Sequence, residues 1–98
     1  MADLTAVHDL EQTPHAEVFA AAPRIVRLRL EANEAVPTHR HPGEAVLLYG
    51  IEGVLELRLD EGRYDLRAGD AIRFSGEREI SPRAVEDATA LVVFAPAE

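Results

Sequence analysis

Two histidines in the stretch Val36-Pro-Thr-His39-Arg-His41-Pro-Gly-Glu44 are the residues of this chain best placed to do chemistry. In an extended segment, positions i and i+2 leave the same face, so His39 and His41 aim both imidazoles at one region. Paired neutral imidazoles make half of a site for a divalent ion such as Zn, Ni, Fe or Mn, and a stable centre needs three or four ligands. Glu44 is the natural third. It stands two before Val46, on the same strand face if the strand begins early enough, and would complete a two-histidine, one-carboxylate set. The competing reading puts Glu44 in a solvated Pro-Gly-Glu turn. Spacing assigns no role to His8 or His15, although a third ligand from the first twenty residues stays open.

The elements that must carry these groups are strands. Val26, Leu28 and Leu30 alternate with Arg27, Arg29 and Glu31, as in a strand with one buried and one solvated face. Leu55, Leu57 and Leu59 repeat the pattern against Glu56, Arg58 and Asp60. The turn Asp60-Glu61-Gly62-Arg63 follows, and Tyr64 and Leu66 resume the apolar face, so residues 54 to 67 read as a hairpin. After a turn at Ala68-Gly69-Asp70, Ile72 and Phe74 flank Arg73. The run from Thr89 to Ala95 is almost continuously apolar and ends at Pro96. Residues 17 to 20 are drawn as a short edge strand. No segment keeps a helical period over three turns, and many short strands between turns predict an all-β antiparallel sandwich or barrel.

Composition removes several function classes. The chain has 98 residues, enough for one domain with a modest core, and no cysteine, which excludes thiolate metal sites, disulfides and cysteine nucleophiles. All ten basic residues are arginines, set against 18 carboxylates, for a formal charge of -8. No basic stripe can track phosphates, so nucleic acid is not expected as a partner. A GC-rich genome or a salt-rich cytoplasm would each suit this composition. The acidic start lacks the basic region of a signal peptide, and no apolar run is long enough to span a bilayer, which predicts a cytoplasmic protein without a membrane partner.

From Asn33 to Pro96 the chain resembles the cupin superfamily, whose motifs read G-x5-H-x-H-x3,4-E-x6-G and G-x5-P-x-G-x2-H-x3-N. Asn33 stands six before His39, His41 follows, Gly53 closes the first motif, and Gly69-Asp70 opens the second. Asn33 replaces a glycine, and Asn enters the left-handed region at low cost. The family's glutamate falls on Val46, its third histidine on Ile80, its proline on Ser75, its second glycine on Glu77 and its asparagine on Ala84.

The resemblance implies an antiparallel double-sheet jelly-roll barrel, with a single cupin domain over residues 1–98 and residues 1–20 as an extension or edge strand. Val46, Leu48 and Gly50 share one parity, as do Ile72 and Phe74 on the next strand. With Ile80, these six are expected to line the interior, either as plain core or as the wall of an apolar pocket. Gly50 adds no side-chain volume there, which implies a void or a close backbone approach. With two of four family ligand positions apolar, one divalent ion is expected to bind weakly or substoichiometrically, through His39 and His41. The resulting expectation is a small-molecule-binding barrel that forms a homodimer, more a binding protein than an enzyme. A metal-dependent enzyme similar to cupin dioxygenases or isomerases, and a non-catalytic interaction module, are the alternatives.

Overall fold

Apolar and polar residues that alternate along the chain form eight strands in the computed structural model, which describes residues 2–97. They are β1 (His15–Phe19), β2 (Arg24–Leu30), β3 (Glu44–Glu52), β4 (Val54–Leu59), β5 (Gly62–Arg67), β6 (Ala71–Ser75), β7 (Ile80–Ala84) and β8 (Ala88–Pro96). All pairings are antiparallel. A five-stranded sheet in the order β1-β2-β8-β3-β6 faces a three-stranded sheet in the order β5-β4-β7, which makes a jelly-roll barrel. Leu55, Leu57 and Leu59 of β4 pack with Leu66 of β5 against Val26, Leu28 and Leu30 of β2 in one core. Burying each leucine contributes about 2 kcal/mol.

The apolar run of β8 is continuous because this strand is central in its sheet. Ala88, Ala90, Val92 and Phe94 point into the core, while Leu91 and Val93 lie half-buried on the outer face. Strand register then sets rows across the inner face. One row runs Arg24, Phe94, Val46, Phe74, the next Glu17, Val26, Val92, Leu48, Ile72, and a third His15, Leu28, Ala90, Gly50. A side chain added at Gly50 would strike the backbone carbonyl of Arg67. The Gly50 amide donates to the carbonyl of Asp70 at 2.8 Å, and the Gly69 amide donates to the carbonyl of Gly50 at 2.8 Å. The room left by this glycine is filled by the backbone of the turn between β5 and β6.

Residues 33–41 lie along the free edge of β7. The Asn33 amide donates to Ala84, the Ala84 amide to Glu34, the Val36 amide to Pro82, and His39 and Ile80 exchange both backbone bonds, at 3.0 and 2.9 Å. Pro82 has no amide to give the carbonyl of Val36. The Ser81 hydroxyl supplies that donor, at 2.8 Å. Asn33 begins the segment with φ of 73°, in the left-handed region where the resemblance calls for glycine.

Two side chains depart from the alternation. Tyr64 has the same parity as buried Leu66 but is 46% exposed, on a strand that lies at the edge of its sheet. Arg27, which alternation assigns to solvent, is fully buried. It leaves the outer face of β2, and residues 10–12 cover it: Nη2 donates to the carbonyls of Leu10 at 2.8 Å and Gln12 at 3.1 Å. Burial, and secondarily the charge of Arg29, lower its pKa, yet a guanidinium stays protonated. Nε and Nη1 have no partner among the described residues. The guanidinium therefore ties the N-terminal segment to the barrel at a desolvation cost. Arg27→Ala is expected to lower stability by about 2 kcal/mol and to expose residues 5–13 to limited proteolysis. An unchanged urea midpoint with unchanged protease resistance would show that the segment is held by other contacts.

Candidate functional site: a cavity between the sheets

The two sheets do not meet everywhere. At the end of the barrel where β2, β8 and β3 carry Arg24, Phe94 and Val46, they enclose a cavity of about 590 Å³. Its base is apolar and buried, with Val46, Leu48, Phe74, Ile80, Val92 and Phe94 among the lining residues. Its mouth is polar. His15 and Glu17 come from β1, Arg24 from the start of β2, and Thr38 from the segment along β7, all exposed. His39 and His41 stand between base and mouth, partly buried.

One wall carries a continuous row of contacts. The Arg24 guanidinium carbon lies 4.7 Å from the centre of the Phe94 ring. Phe94 packs against His41 with ring centres 4.8 Å apart, and His41 meets His39 edge-on at 4.8 Å. The register of Arg24 opposite Phe94 makes the first contact, and the His39–Ile80 bridge fixes the last residue. His39 Nδ1 lies 2.7 Å from the carbonyl oxygen of Pro37. A carbonyl only accepts, so Nδ1 is the donor of this contact.

Of the residues singled out from sequence, His39, His41, Val46, Leu48, Phe74 and Ile80 line this cavity. Gly50 and Ile72 do not: Gly50 faces the turn backbone, and Ile72 packs against the core at the far end of its row. Glu44 opens β3 and is also absent from the lining. Its backbone amide donates to the carbonyl of His41 at 3.2 Å and its carbonyl accepts from Gly76 at 2.7 Å. Its charge still reaches His41. His15, Glu17, Arg24 and the Val92–Phe94 pair were not legible as site residues, since only strand register brings them here.

Burial, followed by the positive charge of His39, lowers the pKa of His41; Glu44 opposes the shift, while Arg24 and His15 add to it. His15, though exposed at the mouth, is lowered too, by partial desolvation against the strands around it and then by His39.

The family model for the cupin domain matches residues 26–95, and the chain belongs to that family. No curated protein matches it by sequence. Among solved structures it is similar to KdgF from Halomonas sp., with a TM-score of 0.84 and 20% identity over 100% of this chain and 96% of that one. TT1209 from Thermus thermophilus is similar at a TM-score of 0.80 and 24% identity, over 97% and 98% of the two chains. The Cnp3 cupin domain from Schizosaccharomyces pombe gives 0.79 and 13%, over 91% and 64%. Identities this low carry the fold alone.

Cupins commonly bind a metal ion, so the fit of these residues is a direct question. The family's remaining ligand positions hold Val46 and Ile80, which are apolar and buried. Among the described residues, no three His, Cys, Asp or Glu side chains form a group able to hold an ion. The residues present do not make the family's metal centre. They leave two imidazoles beside an apolar wall.

In metal-free protein the two lowered imidazoles set a pH dependence. In the unfolded chain these two histidines titrate at about 6.5, and in the folded chain His15 and His41 titrate lower. Above that value both states are neutral and stability is complete; as pH falls through it, the unfolded chain takes up protons first and stability is lost. Urea midpoints should decline between about pH 7.5 and 5.5, and His41→Gln should flatten the decline. A midpoint that holds constant or rises on acidification contradicts this account.

Proposed function

We propose that this cupin binds a small molecule, largely apolar in body, inside its barrel. The observation that carries this reading is the cavity of about 590 Å³ whose base is built from buried Val, Leu, Ile and Phe side chains. A volume of ~300–1,000 Å³ with an apolar wall and a few convergent polar groups is typical of small-ligand sites. The neutral apolar dye N-phenylnaphthylamine should gain fluorescence with the wild type and raise its melting temperature. Val92→Trp, which fills the cavity from its central strand, should abolish both effects in a folded protein. Equal dye binding by the two proteins would place the dye elsewhere and overturn the reading.

Metal is assigned a secondary place: one divalent ion, Zn, Ni, Fe or Mn, held weakly or substoichiometrically by His39 and His41. Ile80 supports a sharper test, because it is the direct bridge partner of His39 and its side chain leaves the same face. Ile80→His should converge three imidazoles and tighten zinc binding by at least about tenfold. Calorimetric titration showing no gain in a folded variant would remove Ile80 from the site. A tightly held, stoichiometric ion in the wild type would overturn the weak-metal reading itself.

The protein is further proposed to act as a cytoplasmic homodimer, with neither nucleic acid nor membrane as partner. The edge strands β1 and β6 present unpaired backbone groups, and Tyr49, 44% exposed, stands beside half-buried Leu91 on the outer face of the five-stranded sheet. Light scattering should return twice the chain mass; a monomer at micromolar concentration would overturn this.

A further inference from the structure

We infer that the molecule bound in the barrel is a monocarboxylate: an apolar body seated between the sheets, with a single anionic head held at the mouth by the Arg24 guanidinium. This rests on the barrel being a small-molecule site and goes beyond it by naming the ligand's chemistry.

The charge at the mouth differs from that of the protein. The chain as a whole carries 18 carboxylates to ten arginines. Around the cavity the ionisable groups are one arginine, three imidazoles and one carboxylate, Glu17. An acidic protein repels anions over most of its surface, and at this mouth the single carboxylate is matched by one guanidinium, so the repulsion is locally cancelled.

Arg24 is also built to take a head group. Strand register aligns it with Phe94 on the inner face, and its guanidinium carbon sits 4.7 Å over that ring. A guanidinium lying on an aromatic face presents its N–H edge sideways, as the fork that matches a carboxylate. Among the described residues its one hydrogen bond uses Nε, to Glu17 Oε1 at a long 3.4 Å, and both terminal nitrogens are left without a protein partner. His41, next along the same wall, adds a second polar group within the reach of a head group that contacts Phe94.

Other ligand classes fit less well. A sugar or polyol needs polar partners along its whole length, whereas the polar side chains lining this cavity stand at its mouth and beside the two histidines and its base is apolar. A phosphate or polyanion needs several permanent cations, and the lining has one. An organic cation would compete with Arg24 for both the Phe94 ring and Glu17.

The test uses three probes with one body: phenylpropanoate, its primary amide, and phenylpropylamine. Each is titrated into the full chain while the methyl resonances of Val46, Leu48 and Ile80 are followed by NMR. The carboxylate should bind about tenfold more tightly than the amide, as one charge-assisted pair provides, and the amine most weakly. Arg24→Gln should close the gap, bringing the affinities of carboxylate and amide together. Glu17→Gln, which frees the guanidinium from its neutralising neighbour, should strengthen the carboxylate alone. Equal binding of carboxylate and amide, with methyl shifts for both, would overturn the anionic head while the cavity reading stands. Discrimination that survives Arg24→Gln in a folded variant would overturn the role of Arg24. Methyl resonances unmoved by all three probes would overturn the cavity reading, and this inference with it.

Discussion

The cavity exists because residues 33–41 are laced to β7. Reciprocal bonds between His39 and Ile80, and single bonds at Val36, Ala84 and Asn33, hold an irregular segment as though it were one more strand. Without that ladder the three-stranded sheet would end in a bare edge at β7 and His39 would have no fixed position, while His41 is held one step further on, its amide donating to the carbonyl of Gly76 at 2.8 Å. Pro82 shows how closely the edge is matched to its occupant: a proline tolerated only at a strand edge removes one donor, and Ser81 returns it. The left-handed turn at Asn33 starts the chain in the direction that makes this lacing possible.

The inner face of the larger sheet complements the ladder with chemistry sorted by depth. Rows set by register carry apolar side chains at their centres and ionisable ones at β1 and the start of β2, where the sheet runs out toward solvent. A ligand entering such a space loses water from its apolar part first and keeps its polar part at the rim, the cheaper place for a charge. The same sorting accounts for the imidazoles. His41 is buried enough against Phe94 to resist protonation, yet near enough to the mouth to meet a head group.

Arg27 and Arg24 present a contrast within one strand. Arg24, on the inner face, keeps terminal nitrogens unengaged at the cavity mouth, whereas Arg27, three residues on and on the outer face, is fully covered by the N-terminal segment. The segment that Arg27 secures leads directly into β1, which contributes His15 and Glu17 to the cavity. A buried cation on one side of the sheet thereby helps to place the polar rim on the other.

Local pattern determined the strands of this protein and the residues of its core. Alternation at Val26, Leu28 and Leu30, and again at Leu55, Leu57 and Leu59, needs no partner to be visible, because the period of a strand is a property of the chain itself. The spacing of His39, His41, Gly53 and Gly69 likewise carried the family and the jelly roll. Tertiary structure alone decided the composition of the cavity. His15, Glu17 and Arg24 reach it through pairings between segments far apart in sequence, and such pairings leave no mark in the local pattern. Glu44 and Gly50 share the parity of Val46, but parity names a face and not what covers it: one lies outside the lining, and the other meets the backbone of a turn. Arg27 is buried for the same reason, since the segment that covers it comes from elsewhere in the chain.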